Sequence, residues 1–166
     1  MVKDLIEKLK QAQVVCNGPV ELKNAGASNY YINIKKAYGD SELMFFLCKN
    51  LWEKIPREVT CIAGSGHGGV PLATRISGLY GRNLTLVRDG PKEHGLSGLI
   101  DGYVPNNKDK ITIVDDVFST GGSLRRVIET LTLTGAEILG CYVVVKRGEG
   151  QLSVPWRYLM TAEELL

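Results

Sequence analysis

The sequence predicts an α/β domain built on a mostly parallel sheet, and three observations carry that prediction. Short apolar runs suited to buried strands recur at 59–63, 84–87, 111–114 and 138–145. Two of them, the first and the third, lead through a glycine-bearing turn into apolar positions at helical spacing. Acids or glycines stand where those strands end, and open parallel sheets bind ligands at the carboxyl ends of their strands.

Composition bounds the rest. With 166 residues, 44% hydrophobic and 23% charged, the chain 1–166 reads as one domain with a core of ordinary size. A net charge of +2, with no Lys/Arg cluster, does not support a nucleic-acid partner. The amino terminus mixes charges with Leu5, Ile6 and Leu9, so it reads as neither signal peptide nor membrane span, and no membrane partner is expected. A cytoplasmic enzyme is the expectation. Cys16, Cys48, Cys61 and Cys141 are scattered, three of them inside apolar segments, and read as buried free thiols.

In chain order, Val2, Leu5, Ile6 and Leu9 mark an amphipathic helix ending near Gln13. The segment 14–40 reads as a small irregular subdomain, with strand-like residues 30–34 after a turn-rich 23–29. Ser41 is the expected cap of a second helix reaching Lys54, apolar on most sides. The strand 59–63 runs into Gly64-Ser65-Gly66-His67-Gly68-Gly69, four glycines in six residues, and Pro71 is expected to open the next helix. Alone, that glycine run is equally a tight turn with no ligand, and His67 a solvent-facing loop histidine. After the strand 84–87, residues 88–102 hold five Gly or Pro in fifteen, which suits a mobile loop carrying Lys92 and His94 or a solvated hairpin. Strands are expected at 138–145 and 156–160, then a short terminal cap.

The centre of the chain is Ile111 to Ser123. A buried strand over 111–114 is expected to end at Asp115 and Asp116, and Leu124, Val127, Ile128 and Leu131 form the stripe of a helix that Gly135 stops. Backbone N–H groups at a helix start, glycines, and the hydroxyls of Ser119, Thr120 and Ser123 make a cradle for a phosphate monoester. Carboxylates cannot serve the phosphate; they accept from sugar hydroxyls or hold a hydrated cation. Ribose 5-phosphate has that layout, while the dinucleotide and P-loop patterns are both missing from the sequence.

Asp115-Asp116-Val117-Phe118-Ser119-Thr120-Gly121-Gly122-Ser123 resembles the phosphoribosyl pyrophosphate (PRPP) signature of type I phosphoribosyltransferases. The resemblance extends over about 23–150 and implies a central sheet of about five strands flanked by helices, with a small hood from 14–40 and the carboxy terminus. It implies that Asp115 and Asp116 hold the ribose, that 119–123 grip the 5-phosphate, and that Gly64, Ser65, Gly66, His67 and Gly68 line the pyrophosphate. Magnesium would come with PRPP rather than on a protein site.

Arg88, Lys92, His94 and Gly95 are similar to the catalytic loop of the orotate branch, which reaches into a neighbouring subunit, so the resemblance implies a homodimer sharing 88–102. Arg147 at a strand end matches the arginine that holds the carboxylate of orotate, although the residues alone allow a basic surface turn. Lys23, Tyr30 and Tyr31 resemble the base-binding segment, and Ser119 is placed to reach the base as well. Two positions depart from the branch: Asp89 replaces a second basic residue, and Lys146 replaces an aspartate before Arg147. Two other readings stay open: a phosphoribosyltransferase for a purine or uracil, and a non-catalytic PRPP-binding regulator.

Overall fold

The computed structural model describes residues 2–22, 26–90 and 98–166. Its main sheet has six strands in the order β5-β4-β3-β6-β7-β8, formed by β3 (Cys61–Ser65), β4 (Asn83–Val87), β5 (Ile100–Gly102), β6 (Lys110–Phe118), β7 (Glu137–Lys146) and β8 (Trp156–Thr161). All neighbours are parallel except β5, which pairs antiparallel with β4 at the edge. The expected five-stranded core is thus present with one added edge strand.

The connections diverge at the centre. From β3 the chain passes through α4 (Gly66–Tyr80) to β4 on one side, and from β6 through α5 (Gly122–Thr132) to β7 on the other. Parallel crossovers are right-handed, so opposite directions put the two helices on opposite faces. The packing agrees: Leu72, Ala73 and Ile76 of α4 join a core with α1 (Val2–Gln11) and α3 (Ser41–Lys54), whereas Leu124, Val127, Ile128 and Leu131 of α5 join Ile111, Ile113 and Phe118 in a second. A crevice opens where neighbouring strands send their chains apart. Here it lies between β3 and β6.

Several local expectations shift. The cap of α3 is Asp40, whose Oδ1 accepts from the N–H groups of Glu42 and Leu43 at 2.9 and 3.0 Å, because its extended backbone places the carboxylate one residue before Ser41. The subdomain at 14–40 is a hairpin of β1 (Val15–Leu22) and β2 (Gly26–Ile32), followed by the single turn α2 (Lys35–Tyr38). Gly18 and Pro19 hide β1 in the sequence; the register shifts between Asn17 and Val20, the irregularity that lets a strand carry them. The chain end does not join this hood: β8 lies in the main sheet beside β7, and α6 (Ala162–Leu165) follows, closed by a Thr161–Glu164 capping box.

Cys48, Cys61 and Cys141 are buried free thiols as expected, and Cys16 is half-buried. Among the described residues no helix is long and apolar enough to cross a membrane.

Candidate active site

The acid pair sits inside the end of β6 rather than beyond it. β6 continues to Phe118 because β7 stays beside it, pairing Asp115 with Val143 and Phe118 with Lys146, whereas the ladder to β3 stops at Ile113. From Val114 onward that flank faces the crevice. Asp116 is buried, with Oδ1 accepting the Val117 N–H at 2.8 Å, and the Asp116 N–H donates to Asp115 Oδ1 at 2.9 Å. Asp115 keeps some residue surface, but its carboxyl is enclosed. Burial raises it well above the usual carboxylate range and the charge of Asp116 raises it further, against the opposing pull of the Asp116 N–H and Lys35.

The glycine run packs directly onto these acids. Gly64 and Ser65 end β3, Gly66 turns the chain at φ +61°, and α4 has begun by His67, so Pro71 lies inside the helix rather than opening it. Five glycines and serines in the six residues 64–69 disguise a helix start, since the type of residue at fault for low propensity is the type needed for close approach. A Cβ on Gly68 would collide with the Asp116 carboxyl and lie 2.9 Å from Asp115 Oδ1; one on Gly69 would lie 2.7 Å from the Val114 carbonyl. His67 is exposed.

The cradle lies on the other side of the acids. Gly121 adopts φ +77° as the N-cap of α5 and no side chain caps the helix, which leaves the first-turn N–H groups open to an anion. Asp115 and residues 117–124 surround a cavity of about 120 Å³. Larger hollows of about 620 Å³ along β8 and about 530 Å³ over α3 and α4 lie away from the acids. Arg125 braces the cradle from below, donating from Nη2 to the Thr120 carbonyl at 2.7 Å and from Nη1 to the Gln151 carbonyl at 3.1 Å.

Arg147 is gathered into the same corner. Its N–H donates to the Phe118 carbonyl at 2.8 Å, and the next residue, Gly148, is packed so closely that a Cβ would collide with the Ser119 carbonyl. Its Nη2 donates to Ser28 Oγ at 2.6 Å and to the Tyr30 carbonyl at 2.8 Å, with the guanidinium 4.7 Å from the Tyr30 ring centre. Tyr30 and Tyr31 face opposite ways along β2: Tyr30 takes Arg147, and the Tyr31 hydroxyl accepts from Lys35 at 3.5 Å. Lys146 turns away, pairing with Glu149 at 2.6 Å and lying 5.8 Å from the Tyr158 ring centre, so the departure at 146 leaves Arg147 in place.

Arg88 pairs with Asp101 at 2.5 Å, closing the base of the 88–102 loop where β5 meets β4, and Asp89 accepts from the Ser65 hydroxyl at 3.2 Å. The carboxylate that departs from the family pattern therefore rests against the turn before α4. Lys92, His94 and Gly95, and likewise Lys23, lie outside the described residues.

Lys35 was not singled out by sequence. It donates to Asp116 Oδ2 at 3.1 Å across 81 residues of chain. Burial alone would lower its ammonium, but the charge of Asp116 and the hydrogen bond to it, with a smaller effect of Tyr31, raise it instead. A lysine pair after a strand reads as a solvated basic turn, and no local spacing reveals such a partner.

The phosphoribosyl transferase domain model matches residues 35–161. The orotate phosphoribosyltransferase of Thermococcus gammatolerans is 38% identical over 149 residues, spanning 88% of this chain and 78% of that protein. That of Methanocaldococcus jannaschii is 36% identical over 146 residues, spanning 88% and 82%. The crystal structure of orotate phosphoribosyltransferase from Aeropyrum pernix superposes with a TM-score of 0.85 at 26% identity, covering 97% of this chain and 95% of that one. An acid pair at the switch point, a glycine-built turn opening the helix after it and these matches agree, and the chain belongs to the phosphoribosyl transferase domain family.

Proposed function

We propose that the protein is an orotate phosphoribosyltransferase, moving the 5-phosphoribosyl group from PRPP to a ring nitrogen of orotate and releasing pyrophosphate and orotidine 5'-monophosphate. The observation that carries the choice of base is Arg147, held by Ser28 and Tyr30 of the hood and by its own backbone to Phe118 at the mouth of the cradle. A planar, permanently charged fork beside the sugar site suits a base that bears a carboxylate. A neutral purine would have no use for it.

Breaking the anomeric bond leaves positive charge on the sugar and negative charge on pyrophosphate, so both need stabilising. Asp115 and Asp116 accept from the ribose hydroxyls and favour the cationic sugar. The 119–123 cradle grips the 5-phosphate, and Ser119 also borders the base. Residues 64–68 line the pyrophosphate, and Arg88, Lys92 and His94 close over it and exclude water. Among the described residues no three His, Cys, Asp or Glu side chains form a metal cage, while two adjacent carboxylates suit the water ligands of an ion held mainly by substrate phosphates. Magnesium carried by PRPP would offset the leaving charge, with Asp115 and Asp116 accepting from its waters. A cytoplasmic homodimer sharing the 88–102 loop belongs to the same reading.

The test is pyrophosphate release from PRPP and magnesium with orotate, uracil, adenine, hypoxanthine and guanine supplied in turn. Release with orotate alone is expected. Release with a purine or uracil would keep the cradle and discard the base; PRPP binding without release with any base would make the protein a regulator.

A further inference from the structure

Helix α2 belongs neither to the cradle nor to the Arg147 corner, yet two of its side chains reach into the site. Lys35 meets Asp116 Oδ2 at 3.1 Å, and the Tyr38 hydroxyl donates to the Gly68 carbonyl at 2.8 Å. Tyr38 thus pins the turn that leaves no room beside Asp116, and Lys35 takes hold of the carboxylate itself. The other oxygen of Asp116 is already held by the Val117 N–H at 2.8 Å. With a donor on each oxygen, the carboxylate cannot rotate without breaking one of them, while each oxygen keeps a second lone pair for a sugar hydroxyl.

Charge points the same way. Two adjacent carboxylates repel, and an ammonium in contact with Asp116 offsets part of that repulsion at the carboxylate it touches. Lys35 is the cation the structure puts there, at an interaction made stronger than a neutral hydrogen bond by charge on both sides. We propose that Lys35 is a positioning residue for the sugar, fixing the Asp116 carboxylate so that it accepts from the ribose hydroxyls. The proposal rests on reading Asp115 and Asp116 as the ribose-binding pair. It also explains why the hood continues directly into α2: the hairpin that holds Arg147 and the turn that holds Asp116 are one continuous segment.

The test compares equilibrium binding of ribose 5-phosphate, 2-deoxyribose 5-phosphate and inorganic phosphate to the full chain, to Lys35→Met and to Lys35→Arg. The unaltered protein is expected to prefer ribose over deoxyribose. In Lys35→Met that preference should shrink by roughly tenfold, the scale of one lost charge-assisted contact, with phosphate affinity unchanged. Lys35→Arg should restore most of it. An intact preference in Lys35→Met, or phosphate and ribose affinities falling together as a loosened fold would make them, overturns the role of Lys35. Failure of the unaltered protein to bind ribose 5-phosphate at all would instead overturn the ribose-binding reading of the acids, and the proposal with it.

Discussion

At Asp115 an enclosed carboxyl lies beside the charged end of Asp116, and burial followed by that charge raises it well above its ordinary value. In the unfolded chain the same group titrates near its ordinary value of about 3.9. Between the two, the folded protein binds a proton that the unfolded chain has released, so stability falls as pH rises through that window. The free protein is therefore less stable near neutrality than its packing alone would make it, a strain that a ribose hydroxyl or a cation relieves. Asp115→Asn removes the charge at nearly constant volume. It should stabilise the free protein at neutral pH, raising Tm, and abolish ribose 5-phosphate binding. Thermal melts at mildly acidic and neutral pH, with a binding titration, check both halves. A variant melting below the parent at neutral pH would show that Asp115 is a structural acid.

On the scale of elements, the contact between α4 and β6 turns glycine from a helix breaker into a requirement. Alanine at Gly68 would gain helix propensity of up to about 1 kcal/mol, yet its Cβ collides with the Asp116 carboxyl. Gly78, in the same helix, is exposed and has nothing within 4 Å of an added Cβ. Gly78→Ala should therefore raise Tm and leave ribose 5-phosphate affinity alone, while Gly68→Ala should weaken that affinity at least about tenfold, one displaced charge-assisted contact. Calorimetric titration of the two variants separates them; similar affinities would mean that the acids do not depend on the close approach. The same pair shows what a sequence discloses. Leu124, Val127, Ile128 and Leu131 announced α5 because its buried stripe is written at helical spacing, and all four are buried. The acids and the cradle were legible because one unbroken segment holds them. The start of α4 was not, since Gly68 and Gly69 serve the neighbouring strand rather than their own helix. Lys35 was hidden for a related reason: its partner lies 81 residues away, and only the fold brings them together.

At the scale of the whole molecule, the 88–102 segment is anchored at its two described ends. The Arg88–Asp101 pair and the β4–β5 ladder fix where it leaves the sheet, at the far side of β3 from the cradle. A loop leaving there would serve its own crevice or that of a second copy, and family resemblance favours the second. The two cases separate by mixing inactive variants. Lys92→Ala leaves the acids intact and removes the loop's cation; Asp115→Asn leaves the loop intact and removes an acid. If loops act across a symmetric dimer, a mixed dimer has one site with both defects and one with neither. An equal, freely exchanging mixture then contains half mixed dimers, so about a quarter of the sites should work, whereas loops acting within their own chain leave every site with one defect. Pyrophosphate release from PRPP and orotate by the mixture, set against each variant alone, reads the difference. No recovery after demonstrated subunit exchange would assign the loop to its own subunit.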